Sequence, residues 1–226
     1  SWQEIFLPRL KTLEKFSPQL LVNLWNNQKN IPSLVKAIHS DFPQSRVILT
    51  PNKGRDVGGK LALIDFYLKT AMQSDYLVLL HDKKSPHMFE GKVWREKLFR
   101  IIDQTEIPGI LSQFETNPQT GIIGATELIR NEYQGKKFTT INNDKLNELI
   151  GMYQLNMADH RFVAGTMFWI RSSIIKSFFS RFPALACREL LEEGNFTDHL
   201  EGKYTHSWER VFGWLATSQG FSLKGI

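Results

Sequence analysis

Apolar runs of strand length alternate along this chain with stretches of helical periodicity, and that alternation restricts the fold more than any other feature. It is the pattern of a mostly parallel sheet flanked by helices, an α/β architecture. The reading gives a helix over residues 4–16, a buried strand over 19–25, a helix from Pro32 to about residue 39 and a strand over 46–50. A glycine-rich loop over 51–59 then leads to a helix over 60–73 and a strand over 75–80. Helices are expected over 93–103 and 107–117, the second ended by the Asn117-Pro118 step, and a short strand over 121–125. Residues 126–160 read as a polar excursion over the site with a helix at 143–153. Thereafter come a strand over 162–171, a helix over 173–179, an acidic mobile loop over 189–205, a helix over 206–218 and a last strand over 221–223.

The 226 residues suit one large domain, with 1–125 as a nucleotide-binding half and 126–226 as an acceptor and catalytic half. At 42% hydrophobic and 12% aromatic residues, a core is assured and disorder is excluded. The chain begins on a helix, whereas α/β nucleotide-binding domains normally open with a strand that reaches the nucleotide. That first strand is therefore expected to lie outside these residues. The apolar runs fall short of a bilayer span, no signal peptide is evident, and the single Cys187 suits a reducing cytoplasm. A net charge of +5 favours an anionic partner. The Lys and Arg residues are scattered rather than striped with aromatics, so no nucleic-acid partner is expected.

Two polar clusters follow strand ends, where open α/β sheets bind ligands. In NKGRDVGG (52–59), Asn52 follows a strand, and Gly54, Gly58 and Gly59 can admit a phosphate or base to the backbone. Arg55 offers a planar fork and Asp56 an acceptor. The spacing matches neither a Walker loop nor the dinucleotide fingerprint, and a plain turn with an Arg55–Asp56 ion pair is the alternative. In HDKKSPH (81–87), Lys83, Lys84 and Ser85 can bind a diphosphate, whereas His81 with Asp82 can ligate a divalent metal, although one carboxylate is a poor hard-cation site. The alternative here is a solvated lysine-rich loop.

FVAGTMFWIR (162–171) places Gly165 among bulky residues, either to admit a neighbouring side chain or to face a ligand, and ends at Arg171. In HSWERVFGWL (206–215), His206 and Glu209 are three residues apart and share a helix face. Glu209 is expected in the first turn, where the helix dipole favours an ionised general base; a cap and ion-pair partner is the alternative.

These four blocks together resemble the rhamnan synthesis protein F family and extend across about three quarters of the chain. The resemblance implies a GT-A-like, Rossmann-like fold and a glycosyltransferase of bacterial O-antigen, rhamnan or capsule assembly, often one module of a larger chain. It implies a nucleotide-diphosphate sugar donor, rhamnose being only the family's namesake, and a lipid-linked or polysaccharide acceptor. The block order is also similar to the wider inverting pattern, in which a Glu or Asp about eleven residues before a Gly-aromatic step is the base; Glu209 and Gly220-Phe221 fit. By that resemblance Glu209 is catalytic, and Asn52, Gly54, Arg55, Asp56, His81, Lys83, Lys84 and Ser85 bind the donor. Gly165, Arg171, His206, Trp208 and Arg210 fall on the acceptor side.

Where the wider pattern has a metal-binding DxD, this chain has His81-Asp82-Lys83. Lys83 or Lys84 is expected to replace the divalent cation, with Asp82 and His206 as ligands if manganese or magnesium is required. Trp169, Trp208 and Trp214 are candidates for stacking on sugar, with a place in the core as the commoner alternative for each. A basic, aromatic-rich surface suits peripheral contact with the inner face of the plasma membrane. Two rival readings are a non-catalytic nucleotide- or carbohydrate-binding module and a sugar nucleotidyltransferase.

Overall fold

The computed structural model describes residues 4, 6–82, 91–195 and 201–226. Helix α1 (Leu7–Leu10) carries Pro8 at its start, where the missing N–H leaves no helical bond unmade, and tightens into a 3-10 turn at Lys11–Phe16. Strand β1 (Leu21–Trp25), helix α2 (Ile31–Asp41) and strand β2 (Arg46–Thr50) form a crossover unit, and the two strands pair in parallel from Leu21–Arg46 to Trp25–Thr50. Helix α3 (Arg55–Lys69) and strand β3 (Tyr76–Leu79) follow.

Next come α4 (Gly91–Phe99), α5 (Ile107–Thr116), β4 (Thr120–Gly124), β5 (Ile129–Arg130) and α6 (Asn143–Met152). The chain continues through β6 (Phe162–Val163), β7 (Phe168–Arg171), α7 (Ser172–Arg181), α8 (Ala184–Glu189), α9 (Tyr204–Thr217) and β8 (Ser222–Gly225). The fold is α/β. Its four-stranded sheet has the order β3-β7-β4-β8, in which β7 runs against both neighbours and β4 is parallel to β8. Three strands thus share one direction and one opposes them. β5 and β6 form a separate antiparallel pair.

The core lies between this sheet and α9. Ile122, Ile123, Ile170 and Leu223 from the strands and Trp208, Phe212 and Trp214 from α9 are completely buried. Burying such a side chain contributes roughly 1.5–3 kcal/mol, so the α9–sheet contact is a principal source of stability. Among the described residues no helix is long and apolar enough to cross a membrane.

Three local expectations change. Helix α3 starts at Arg55 rather than residue 60, so Gly58 and Gly59 are helical. Their role is close packing: a Cβ at Gly58 would lie 1.8 Å from the Lys53 carbonyl oxygen. The stretch 162–171 is two strands in different sheets, because Gly165 (φ +83°) and Thr166 (φ +54°) turn the chain between them.

Helix α9 starts at Tyr204, which moves Glu209 out of the first turn and removes the dipole argument for it. The acid at that helix start is Glu192, whose carboxylate accepts the N–H groups of Tyr204 (2.6 Å) and Thr205 (3.0 Å) and the Thr205 hydroxyl (2.8 Å). Burial opposes the Glu192 charge, yet the bonds from Thr205 and Tyr204 hold its carboxyl below the ordinary glutamate range. The region expected as a mobile acidic loop therefore contains the end of α8 and a fixed cap, while residues 196–200 lie outside the described set.

Candidate functional site

A cleft of about 1210 Å³ opens beyond the ends of β2 and β3. Asn52, Arg55, Asp56, Lys60, His81 and Asp82 form one polar group in its lining, with Asn23, Gln28, Lys29, Asn30 and Ser33 further along. The arrangement follows from chain order. Helix α3 starts five residues after β2 ends, and His81 follows β3 by two. Both polar segments therefore meet at one end of the strands.

The centre of this group is Lys60, which is only 3% exposed. Its ammonium lies 3.0 Å from Asp56 Oδ2, 2.6 Å from Thr166 Oγ1 and 3.0 Å from His81 Nδ1. The Thr166 hydroxyl in turn donates to Asp56 Oδ2 at 2.7 Å. Burial works against the Asp56 charge, but Lys60 and His81 beside it, with the Thr166 and Lys60 hydrogen bonds, hold its carboxyl well below the usual carboxylate range. The ion-pair partner of Asp56 is Lys60, at 3.0 Å, rather than Arg55.

The turn that supplies Thr166 also holds the predicted base. Gly165 N–H donates to Glu209 Oε1 at 2.5 Å. Glu209 Oε2 accepts from Arg210 Nη1 at 2.7 Å, and Arg210 makes a two-point pair with Glu132 at 2.7 and 2.9 Å. A carboxylate has about four acceptor positions, so both oxygens keep capacity for a substrate hydroxyl. A β-branched residue at positive φ costs on the order of 1–3 kcal/mol and persists only where its surroundings fix it. At Thr166 the two hydroxyl bonds and an N–H bond to the Val163 carbonyl do so. Residues 165 and 166 therefore join Glu209 to the Asp56–Lys60–His81 group.

Other predicted residues lie elsewhere. Arg171 pairs with Tyr76, at the start of β3, and donates to the Thr120 and Phe114 carbonyls at 2.7 and 2.6 Å. It ties strand to helix at the end of the sheet opposite His81. Trp208 and Trp214 are completely buried and Trp169 nearly so, which removes all three as sugar platforms. Trp214 donates to the His160 carbonyl and Trp169 to that of Ile101. Gly165 makes room for Leu98, whose Cδ2 would lie 2.5 Å from an added Cβ. Gly54 spends its N–H on the Glu192 carbonyl at 2.7 Å. The His206 carbonyl accepts from Arg210, which braces Glu209.

Lys83, Lys84 and Ser85 lie outside the described residues. Among the described residues no three His, Cys, Asp or Glu side chains converge as a metal-holding set. Asp82 is exposed, Asp56 is committed to Lys60 and Thr166, and neither fits a divalent cation as a paired carboxylate site.

Lys60, Thr166 and Glu132 were not singled out in the sequence. Lys60 left one trace there, a lone cation four residues after Asp56 on the otherwise apolar stretch GGKLALI. Thr166 and Glu132 left none, because their partners are 106 and 78 residues away.

The profile of a family described as rhamnan synthesis protein F matches residues 4–221. Two curated relatives, each an uncharacterized protein WxcX of Xanthomonas campestris pv. campestris (strains B100 and ATCC 33913), are 27% identical over 197 residues. That match covers 85% of this chain, which spans only 27% of the relatives' length. No solved structure matches it significantly. With a profile match over residues 4–221, nearly its whole length, the chain belongs to the rhamnan synthesis protein F family.

Proposed function

We propose that this chain is a glycosyltransferase domain that moves a sugar from a nucleotide-diphosphate donor to a growing cell-surface polysaccharide with inversion. The observation that carries the reading is the Gly165–Thr166 turn, which links the Glu209 carboxylate to the Asp56–Lys60–His81 group at a cleft beyond the strand ends. Membership of a family named for rhamnan synthesis supports it.

In this reading the donor enters the cleft. Asn52 and Asp56 hold the nucleoside or sugar, and Arg55 presents its fork to the diphosphate. Lys83 and Lys84, which follow His81-Asp82 directly, supply the rest of the positive charge, and the Ser85 hydroxyl donates a hydrogen bond. Lys60 fixes Asp56 and His81 in place rather than meeting substrate. Glu209 takes the proton from the acceptor hydroxyl, whose oxygen forms a bond to the anomeric carbon. The bond from that carbon to the diphosphate oxygen breaks, and its electron pair leaves with the nucleoside diphosphate. A general base contributes about 10²–10⁴-fold to such a step, and fixed charge on the leaving group usually contributes more.

One observation favours a non-catalytic binding module: both Glu209 oxygens already have protein partners, as a purely structural carboxylate would. Incubating the chain with a panel of nucleotide sugars and a polysaccharide acceptor separates the readings. Released nucleoside diphosphate with a lengthened acceptor supports transfer. Pyrophosphate indicates nucleotidyl transfer, and saturable binding without product indicates a binding module.

A further inference from the structure

Two carboxylates share the Arg210 guanidinium. It donates to Glu132 through Nε at 2.9 Å and Nη2 at 2.7 Å, and through Nη1 to Glu209 Oε2 at 2.7 Å and the His206 carbonyl at 2.9 Å. The Arg210 side chain is 11% exposed and lies 4.6 Å from the centre of the Phe162 ring, while both carboxylates are partly buried. A structural ion pair needs one carboxylate per guanidinium. A second like charge in a partly buried site costs free energy that packing does not explain.

The fold places Glu132 there with care. It follows β5 by two residues, at the foot of a hairpin where its carbonyl accepts the Thr139 N–H at 2.7 Å and the Thr139 hydroxyl at 3.1 Å. Across that hairpin Tyr133 pairs with Phe138 and stacks on His160 at 3.9 Å, and the buried Phe138 packs against Trp214 of α9 at 5.2 Å. The hairpin is thus fixed to the helix that carries Glu209 and Arg210. This holds the Glu132 carboxylate on the guanidinium across 78 residues of sequence.

The consequence lies in the planar fork of arginine. Beside a carboxylate it favours a two-point pair, which occupies both carboxylate oxygens. Here Glu132 has the edge formed by Nε and Nη2, and the His206 carbonyl steadies Nη1, so the plane cannot turn and Glu209 receives a single N–H on Oε2. Glu209 Oε1, which accepts the Gly165 N–H, keeps a lone pair. We propose that Glu132 is a positioning residue for the Glu209 base: by holding Arg210 it limits the arginine to one contact and keeps a Glu209 oxygen open to the acceptor hydroxyl. The inference rests on reading Glu209 as the base.

Glu132→Ala tests it, with the isosteric Glu132→Gln as a second variant should the truncated hairpin unfold; thermal midpoints establish that each is folded. A crystal structure of the variant is expected to show Arg210 turned onto both Glu209 oxygens. On the nucleotide sugar and acceptor that yield product in the panel above, kcat is expected to fall at least about tenfold with donor KM within about twofold. Adding Arg210→Ala, which removes the clamp, is expected to raise kcat again by at least about threefold, whereas a merely structural network would show no recovery. An Arg210 that keeps its single contact in the crystal overturns the proposal, as does a kcat that Arg210→Ala does not raise. Near-normal kcat in Glu209→Gln removes the base itself and the proposal with it. Loss in Glu209→Gln with normal kcat in Glu132→Ala removes only the role of Glu132.

Discussion

The Glu209 carboxylate accepts the Gly165 backbone N–H at 2.5 Å, across 44 residues of sequence. Through the next residue this bond reaches Lys60 and Asp56, so the two polar groups are positioned by one turn.

That turn is sensitive to a single methyl group. At φ +83°, and with Leu98 Cδ2 2.5 Å from the new Cβ, Gly165→Ala is expected to destabilise the chain by about 1–3 kcal/mol. It also shifts the N–H that holds Glu209. Urea midpoints measure the first effect; the account further expects a loss of transfer rate in protein that is still folded, and unchanged turnover would contradict the coupling.

Asp56 and Lys60 are expected to behave as one unit. Asp56→Asn removes the carboxylate 3.0 Å from the Lys60 ammonium, which is 3% exposed, and should cost about 3 kcal/mol. Lys60→Met removes the other member of the pair. The double variant should fall short of the summed losses by at least about 1 kcal/mol, as paired groups do. Strict additivity in a urea double-mutant cycle would show that the two are not coupled.

Acid should weaken the fold through two carboxylates. Asp56 and Glu192 both have folded pKa values below the ordinary range, so their contributions are complete above the unfolded values, near 4, and are lost as pH falls toward the folded ones. Stability from these groups is expected to be flat from pH 7 to about 5 and to decline below about 4. Glu192→Ala removes the cap of α9, should cost about 1–2 kcal/mol at pH 7, and should flatten the acid slope. An unchanged acid profile in that variant would contradict the assignment.

In the proposed reading, charge on the departing diphosphate falls to Lys83 and Lys84, because His81-Asp82-Lys83 stands where a paired-carboxylate triplet would hold a divalent ion. Transfer is expected to continue in EDTA. Replacing Lys83 and Lys84 together with Ala should raise the donor KM and lower kcat. Activity abolished by EDTA and restored by manganese would reverse this assignment.

Sequence periodicity located most elements, and β2 falls on the expected residues 46–50. What it missed was non-local. The run 162–171 reads as one strand because nothing nearby signals that residues 165 and 166 are held at positive φ by groups more than forty residues away. The start of α9 was displaced because its capping acid, Glu192, lies 12 residues before Tyr204. Arg171 and the three tryptophans carry the residue types of a sugar site, yet the core claims them, since an aromatic run on α9 serves burial equally well. The side chains around Asp56 were legible as a strand-end cluster, whereas the buried Lys60 that organises them was not.

The most direct test of the catalytic reading is the turnover of Glu209→Gln on a nucleotide sugar and acceptor that the unaltered chain uses. Gln retains an oxygen for the Gly165 N–H, so folding and donor affinity should persist while kcat falls by about 10²–10⁴-fold. Near-normal kcat in the folded variant would contradict Glu209 as the base and leave it as a brace between Gly165 and Arg210.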